Sequence, residues 1–343
     1  MPALWFETAK WFEIIEPAGA VSILLAASGL DYGLGDPWNW LHPVQVMGWA
    51  IAYLSKILLS IFKRPFTQRL AGIALAIGLV GGSGLLGWGL VGAAAWLHPA
   101  AAWGLQVVML ASCLAGRSLR NAAEAVLTPL EAKEWAIARR TLSNYVGRET
   151  ETLSASEMYR AVMETISENA IDGVFAPLFY ALVGTAAGVG SVPLALAYKA
   201  ASTLDSMVGY RRAPYTHLGW CSARLEDGLT WVPCRLSVLM IALLSKRPAH
   251  VIKLCRRDAI ADLSPNAGWS ECAYAAALDV QLGGANVYQG VIRQKPLLGN
   301  AVRPITPAII RQGMALTRRV YCGLLGIGIL VTLGLSSFSG QVL

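Results

Sequence analysis

The uncharged stretch of residues 70–116 constrains the fold of this chain more than any other feature. It contains no Asp, Glu, Lys or Arg in 47 residues. A helix of about 20 apolar residues crosses the hydrocarbon core of a bilayer, so this stretch is long enough for two crossings. His98 and Pro99 mark the turn between them. Only 14% of the whole chain is charged, against about 25% in soluble domains. The chain is therefore predicted to be an all-α, polytopic integral membrane protein in contact with the lipid bilayer.

The remaining apolar segments define the predicted topology. Candidate spans are residues 18–33, 44–62, 70–97, 99–115, 174–200, 229–244 and 320–335. Segment 174–200 contains two prolines and three glycines, which suits a broken or re-entrant hairpin shielded by protein. Segment 229–244 is short for a crossing, so it is interpreted as re-entrant or buried. Polar segments 117–172, 201–228 and 246–318 are predicted to be helical cytoplasmic loops, because basic residues favour that side.

Charge and short motifs exclude several classes of protein. The net charge of +7 is interpreted as the basic bias of cytoplasmic loops rather than as nucleic-acid binding. The six cysteines form no CxxC pair, so neither a zinc site nor a disulfide framework is predicted. A GxGxxG pattern at residues 82–87 lies inside a span, and Gly78 and Gly82 form GxxxG, so packing of helices through small residues is favoured over dinucleotide binding. No GxxxxGK[ST] motif occurs, which excludes a P-loop.

Three carboxylates, Glu164, Glu168 and Asp172, recur at four-residue intervals. On a helix they would share one face. Like charges at that spacing repel, so the array needs a compensating cation or raised pKa values. A divalent metal carrying nucleotide phosphates would neutralise it. The alternative is a solvated face on which Arg160 pairs with Glu164.

Local signals predict where helices begin and end around these carboxylates. Ser154 with Glu157 predicts a capping box, and Gly173 is predicted to be a C-terminal glycine cap. Residues 128–131, Thr-Pro-Leu-Glu, predict a second capping box with Pro129 at the first helical position.

Polar residues beside the apolar segments are further candidates for a site. Asp31 and Asp36 border the first span, where carboxylates are costly and usually functional; two turns are the alternative. Lys199, with Asp205 close by, could hold a phosphate, although a lysine at the end of an apolar stretch often only extends toward the membrane surface.

Three more polar strings lie in the last third of the chain. Residues 222–227 and Arg235 add acids and arginines whose alternative role is an interface salt-bridge cluster. Residues 264–269 and 282–290 are turn-forming strings. Each alone is interpreted as a loop, and together they suggest backbone approaching an anionic ligand. Because both lie far along the chain from the carboxylates, they are predicted to contact a different ligand from the one that the carboxylates bind.

In this order, the motifs resemble those of the adenosylcobinamide-phosphate synthase family of cobalamin biosynthesis (CobD/CbiB type). The resemblance covers about residues 22 to 310. Glu149 and Glu226 stand where the family is expected to favour aspartate, and the carboxylate is kept. The motifs that carry it are D-x-x-x-G-D-P from Asp31 with His42-Pro43, Tyr145-Val-Gly-Arg148, Glu164 to Gly173 with Ala176-Pro177, Tyr198-Lys199 to Gly209-Tyr210, Ser222-Ala-Arg224-Leu-Glu-Asp227, Ser264-Pro-Asn-Ala-Gly268-Trp and Leu282-Gly-Gly284 to Tyr288.

The resemblance implies an ATP-dependent ligase formed by residues 1–343 as a single membrane-embedded enzyme domain. It would join a carboxyl group of adenosylcobyric acid to aminopropanol phosphate, or to a free aminoalcohol or ethanolamine analogue, and give adenosylcobinamide phosphate. Mg²⁺ and ATP are the implied cofactor and co-substrate. The implied location is the bacterial inner membrane with the active site facing the cytoplasm. Other membrane enzymes of the corrinoid pathway are expected partners, and nucleic acid is not. A membrane transporter and a non-catalytic sensor are the alternative functions.

These motifs suggest a role for each of the following residues. The predicted catalytic residues are Asp36, Glu168, Asp172, Lys199 and Asp205. The predicted nucleotide-binding residues are Arg148, Glu164, Asn169, Ser206 and Arg224. The predicted substrate-binding residues are His42, Asp227, Ser264, Asn266, Gly283, Gly284 and Tyr288. The predicted Mg²⁺ ligands are Glu164, Glu168 and Asp172.

Overall fold

The computed structural model describes residues 17–35 and 42–339 and is 76% helical. The predicted all-α class is confirmed, because one β-hairpin is the only sheet in this described part. The helices are α1 (Pro17–Gly33), α2 (Pro43–Ile61), α3 (Pro65–Leu97), α4 (Pro99–Cys113), α5 (Gly116–Glu131), α6 (Trp135–Leu142), α7 (Ala155–Ala170), α8 (Ala176–Ala186), α9 (Ser191–Val208), α10 (Trp220–Leu244), α11 (Pro248–Asp258), α12 (Ala267–Leu278) and α13 (Pro307–Ser339). The strands of the hairpin are β1 (Gln281–Tyr288) and β2 (Val291–Gly299).

Six helical stretches of the described residues are long and apolar enough to cross a membrane: Pro43–Ile61, Pro65–Leu97, Pro99–Glu131, Ala155–Ala186, Trp220–Leu244 and Pro307–Leu335. The polytopic membrane class is thereby confirmed. Residues 229–244, interpreted from the sequence as too short to cross, are the second half of the 25-residue helix α10. Their short apolar length therefore does not argue against a crossing, because the polar residues 220–228 continue the same helix instead of ending it. A re-entrant or buried position for residues 229–244 stays a prediction.

The segment 174–200 is broken, as its prolines and glycines predicted. Helices α8 and α9 are separated by residues 187–190, where Gly188 and Gly190 have φ angles of +73° and +87°. Only glycine adopts such angles without strain. Gly173, by contrast, does not end the carboxylate helix. It lies inside a π-helical turn, Ile171–Phe175, whose buried residues Val174 and Phe175 lead directly into α8.

The chain divides into two compact units. The first unit consists of Met1–Ala115, Ala176–Leu229 and Leu325–Leu343, and the second of Gly116–Phe175 and Thr230–Leu324. In the first unit, α9 packs against α2, α3, α4 and α8. A Cβ at Gly87 of α3 would lie only 2.6 Å from Leu196 Cδ1, and one at Gly84 3.2 Å from the Pro193 carbonyl oxygen. Small residues therefore do let α3 and α9 approach closely, as predicted.

The GxxxG pair, Gly78 and Gly82, does not take part in this contact. Among the described residues, nothing lies within 4 Å of a Cβ placed at Gly78 or Gly82. The packing face of α3 carries Gly84 and Gly87 instead, because a helix turns by about 100° per residue and presents only one stripe to its neighbour.

In the second unit, an apolar core lies between α5, α7, α11, α12 and the hairpin, with Met158, Ile166 and Leu282 among its buried members. The Ser270 hydroxyl of α12 donates a hydrogen bond to the Ser167 carbonyl of α7. This contact places the two helices side by side, and the candidate site lies on them.

Two local predictions in the second unit have opposite outcomes. The capping box is confirmed: Ser154 Oγ accepts from the Glu157 amide at 3.3 Å, and Glu157 Oε2 accepts from the Ser154 amide at 2.8 Å. The second capping box is wrong, because Pro129 lies inside α5 and Thr128 Oγ1 donates to the Glu124 carbonyl at 2.9 Å. The helix continues past the proline because the apolar face of α5 is buried on both sides of it.

The string 282–290 forms most of a strand rather than a loop. β1 pairs antiparallel with β2, with a bulge between Leu282 and Gly284. Gly283 and Gly284 have φ angles of +85° and +94°. The two glycines therefore allow the backbone conformation that the bulge requires. The turn itself is Gln289-Gly290, at φ +52° and +73°, as expected for a two-residue hairpin.

Candidate functional site

The centre of the candidate site is the buried carboxylate of Glu164 on α7, which is 1% exposed. Its Oε2 accepts a hydrogen bond from Arg148 Nη2. Its Oε1 accepts from the Gly283 amide at 2.9 Å and from Arg160 Nη1 at 3.3 Å. A buried charge is tolerated only when it is paired and hydrogen-bonded in this way. The Arg160–Glu164 pair considered as the alternative from the sequence is therefore present, as part of a larger network.

The two arginines also bind the hairpin. Arg160 donates to the Gly283 carbonyl, and to the Ala285 carbonyl at 3.0 Å. Asn286 Oδ1 accepts from Arg148 Nη1 at 2.6 Å and from Arg160 Nη2 at 3.1 Å. The hairpin is thus joined to α7 through charged hydrogen bonds.

This network corrects one premise of the sequence analysis. Residues 282–290 were separated from the carboxylate helix because they lie far from it along the chain. In the structure, the Gly283 amide bonds directly to Glu164, and Glu149 bonds to the hairpin through Val287 and Gly290 at 2.9 Å and 2.6 Å. Arg148, Glu164 and Gly283, which were predicted to bind different ligands, belong to one site.

Glu168, one turn further along α7, is exposed and lies among other charged groups. Lys295 of β2, Asp262, Glu164 and Arg148 all act on it electrostatically, and Glu271 of α12 interacts with it too. Glu271 is fully buried, and its Oε1 accepts from Lys295 Nζ at 2.9 Å. We refer to Glu168, Asp262, Glu271 and Lys295 as the Glu168 cluster.

Burial and charge act in opposite directions on the Glu271–Lys295 pair. Burial raises the pKa of Glu271 to about 8, although Lys295 opposes the shift. Burial alone would lower the pKa of Lys295, but the carboxylates of Glu271, Glu168 and Glu164 outweigh it and raise that pKa. Each member of the pair therefore favours the charged form of the other, while burial opposes both charges.

The three predicted Mg²⁺ ligands do not fit a resident metal site. Both oxygens of Glu164 already accept hydrogen bonds from nitrogen donors. Within residues 17–35 and 42–339, no group of three or more His, Cys, Asp or Glu side chains is arranged to hold a metal ion. The π turn that begins at Ile171 also interrupts the regular α-helical spacing before Asp172. Contact of Glu168 and Asp172 with the Mg²⁺ of a bound nucleotide stays a prediction.

The string 264–269 is held firmly at the start of α12. Ser264 Oγ accepts from the amides of Asn266 and Ala267 at 3.3 Å and 3.1 Å. Arg235 donates to the Pro265 carbonyl at 2.9 Å, and its guanidinium lies 4.4 Å from the centre of the Trp269 ring. Asn266 is 5% exposed. The predicted turn is present, and it sets the direction of the helix that carries Glu271.

The remaining predicted residues are divided between the units. The second unit contains Asn169 in α7 and Asp172 just after that helix. It also contains Gly284 and Tyr288 in β1. Asp36 lies outside the described residues. The predicted residues in the first unit are His42, Lys199, Asp205, Ser206, Arg224 and Asp227.

In the first unit, several of these side chains serve the local helix. His42 Nδ1 accepts from the Val44 amide at 3.3 Å and caps α2. Ser206 Oγ donates to the Thr203 carbonyl at 2.9 Å. Arg224 and Asp227 form an ion pair at 3.7 Å, the alternative considered from the sequence. Lys199 is partly buried in α9.

Sequence reasoning missed Asp262, Glu271, Asn286 and Lys295 as parts of the site. Three of them lie within or beside motifs that were recognised: Asp262 precedes Ser264, Glu271 follows Trp269, and Asn286 follows Gly284. The available signal was a single glutamate, Glu271, within an apolar, alanine-rich segment. Lys295 had none, because only the pairing of β2 with β1 brings it to α12.

Comparison with known proteins identifies the family. The family model described as CobD/Cbib protein matches residues 24–317. The "Cobalamin biosynthesis protein CobD" of Synechocystis sp. is 48% identical over 322 residues, covering 94% of each chain. The CobD of Klebsiella pneumoniae is 40% identical over 80% of this chain and 86% of its own, and the CbiB of Salmonella typhi is 39% identical over 81% and 86%. No solved structure matches the chain. This chain therefore belongs to the CobD/CbiB family of cobalamin biosynthesis proteins.

Proposed function

We propose that this protein is a ligase that joins adenosylcobyric acid to (R)-1-amino-2-propanol O-phosphate, or to the free aminoalcohol or ethanolamine analogue, with consumption of ATP. The product is adenosylcobinamide phosphate. The observation that carries the proposal is the charged site of the second unit, with Glu168 exposed beside Lys295 and next to the buried Arg148–Glu164 pair. Membership of a cobalamin biosynthesis family supports the choice of substrates.

The chemistry explains why such a site suits the reaction. A carboxylate does not react with an amine, because its oxide is a poor leaving group. In the first step a carboxylate oxygen attacks the γ-phosphorus of ATP, the bond to the β-phosphate oxygen breaks, and ADP leaves. In the second step the amine nitrogen attacks the carbonyl carbon of the acyl phosphate, and inorganic phosphate leaves with the electron pair. The amine enters as an ammonium ion, so it gives up one proton before the attack and a second after it.

Each step requires a type of side chain that the chain provides. Phosphoryl transfer depends on positioning and on cations near the developing charge. Arg148, Arg160 and Lys295 are the cations next to Glu164 and Glu168, and Arg148 and Arg160 have fixed partners. Loss of the ammonium protons requires a base, and Glu168 is the exposed carboxylate of the site. Mg²⁺ enters as part of the MgATP substrate and would be met by Asp172.

Lys199, Ser206 and Arg224 remain proposed contacts for ATP, and His42 and Asp227 for the corrinoid or the amine. Asp36 and Asp205 remain alternative candidates for the base. The proposed location is the bacterial inner membrane, with the site open to the cytoplasm, where ATP is found. Six helices able to span a bilayer and the bacterial origin of the relatives support it.

The decisive experiment uses the purified full-length chain in lipid nanodiscs. Adenosylcobyric acid, MgATP and aminopropanol phosphate are supplied together, and the corrinoid product is identified by its mass. We expect a product heavier by the amine minus one water, with one ADP formed per amide. Absence of the amide product with every amine tested would reject the ligase and favour the transporter or sensor.

A further inference from the structure

The ionisable groups around Glu168 include more acids than bases. With all of them ionised, four acids face three bases, so the site becomes neutral only when one acid takes up a proton or a cation binds. The acids are Glu164, Glu168, Asp262 and Glu271, and the bases are Arg148, Arg160 and Lys295. A site of this kind becomes more stable when a cation enters it.

Two of these acids also have oxygens that lack a hydrogen-bond donor. Glu271 is 0% exposed, and within the described residues no donor reaches its Oε2. The Oδ2 atom of Asp262 is buried and likewise lacks a donor in the described part of the chain. Leaving a buried acceptor without a donor costs the desolvation energy of that group without a compensating hydrogen bond. The excess charge and the unfilled acceptors both point to a ligand that is positively charged and donates hydrogen bonds.

A divalent metal ion fits these observations poorly. Among residues 17–35 and 42–339, no three acidic, His or Cys side chains are placed to coordinate one ion. The ammonium of Lys295 also lies beside Glu271, where it would repel a dication about twice as strongly as a singly charged ligand. A primary ammonium group carries a single charge and three N–H donors. It therefore matches the one negative charge that is left over when all four acids are ionised, and the acceptors on separate side chains.

We propose that Glu168, Asp262 and Glu271 form the subsite that binds the ammonium group of the amine substrate, with Lys295 holding Glu271 in position. The proposal rests on the ligase function, which supplies an amine as a substrate. It places the amine in the second unit, on side chains from α7, the segment before α12, and α12 itself. It also assigns Glu168 to the amine, whereas the sequence analysis assigned it to Mg²⁺.

The test compares kinetic constants of the full-length protein in nanodiscs. Asp262→Asn and Glu271→Gln each keep the size of the side chain and remove its charge. Loss of one charged hydrogen-bond partner should raise the KM for the amine by about 10- to 100-fold, while the KM for ATP and the Mg²⁺ requirement stay at wild-type values. Glu134→Gln, at an exposed acid outside the cluster, is the matched control and should leave all three constants unchanged.

Three results would overturn the proposal: a wild-type KM for the amine in Asp262→Asn, an altered Mg²⁺ requirement in that variant, or an altered KM for ATP alone. Asp262 is only partly buried, so this variant remains informative if Glu271→Gln fails to fold. Glu168→Gln separates the two assignments of that residue, because a higher KM for the amine supports the subsite and a higher Mg²⁺ requirement rejects it.

A binding measurement separates this inference from the ligase function. Thermal unfolding is followed with 1-amino-2-propanol, with 1,2-propanediol, which replaces the ammonium by a hydroxyl, and with KCl or MgCl₂. Stabilisation of the wild type by the amine alone, and its loss in Asp262→Asn, supports the subsite even if no amide is formed. No stabilisation by the amine, or equal stabilisation by the diol or either salt, rejects the subsite even if the ligase is active.

Discussion

Arg148 and Glu164 form a buried ion pair that joins the loop before α7 to α7 itself, and the same arginine reaches Asn286 on the hairpin at 2.6 Å. Three segments separated by up to 138 residues along the chain are thus linked through one guanidinium group. Removing one partner of such a pair leaves the other charge buried and uncompensated.

Glu164→Gln should therefore lower the free energy of unfolding by about 3–5 kcal/mol. The amide keeps the shape of the carboxylate but leaves Arg148 and Arg160 without their counterion. Chemical unfolding of the detergent-solubilised protein, followed by tryptophan fluorescence, measures the change. Glu134→Gln is the control, and a loss for Glu164→Gln within 1 kcal/mol of that control would contradict a buried pair.

Asp172→Asn should raise the Mg²⁺ concentration needed for half-maximal activity by at least about tenfold. The expectation comes from the carboxylate array in the sequence, in which Asp172 follows Glu168 by four residues. The measurement is a Mg²⁺ titration of the initial rate at saturating ATP. An unchanged midpoint together with an unchanged rate would remove Asp172 from the nucleotide site.

The polar segments 63–69, 117–172 and 211–227 are predicted to face the cytoplasm, because each contains several Lys or Arg residues and ATP is cytoplasmic. Ser143→Cys, in a background without the native cysteines, tests the central segment at an exposed position. An impermeant maleimide should label it in inside-out vesicles but not in intact cells. Rapid labelling from outside intact cells would reverse the topology.

Asn266→Ala should raise the KM for aminopropanol phosphate or for the corrinoid and leave the KM for ATP near its wild-type value. Asn266 precedes α12, which carries Glu271, and its side chain accepts from Arg235 at 3.5 Å. Steady-state kinetics with each substrate varied in turn provide the test. A selective loss of ATP affinity would place the segment at the nucleotide, and wild-type kinetics would leave it a structural turn.

Gly87→Ala and Gly82→Ala in α3 should differ in their effect on stability. The new methyl group at position 87 meets Leu196, whereas in the described structure nothing lies within 4 Å of the one at position 82. Overpacking costs about 1–3 kcal/mol, so Gly87→Ala should unfold at a lower denaturant concentration than wild type. Equal midpoints for the two variants would contradict the close approach of α3 and α9.

The sequence determined the class of this protein, because long apolar runs and rare charges allow few folds other than a bundle of membrane helices. The capping box at Ser154 and the break at residues 187–190 could also be predicted, since each depends on a few adjacent residues. Local signals failed where burial decided the outcome. Pro129 lies inside α5 instead of starting a helix, and Gly283 and Gly284 form a bulge in β1 instead of a loop.

The candidate site was predicted only in part. Arg148, Glu164, Glu168 and Gly283 stand in recognisable motifs, so the sequence could identify them one at a time. Their grouping was not available, because hydrogen bonds between α7 and the hairpin join residues more than 100 positions apart. Lys295 could not be identified from the sequence for the same reason. Its partner Glu271 lies 24 residues away along the chain and becomes a neighbour only through the pairing of β2 with β1. The sequence thus determined which charged groups the protein has, and tertiary packing decided which of them neutralise one another and which remain for a ligand.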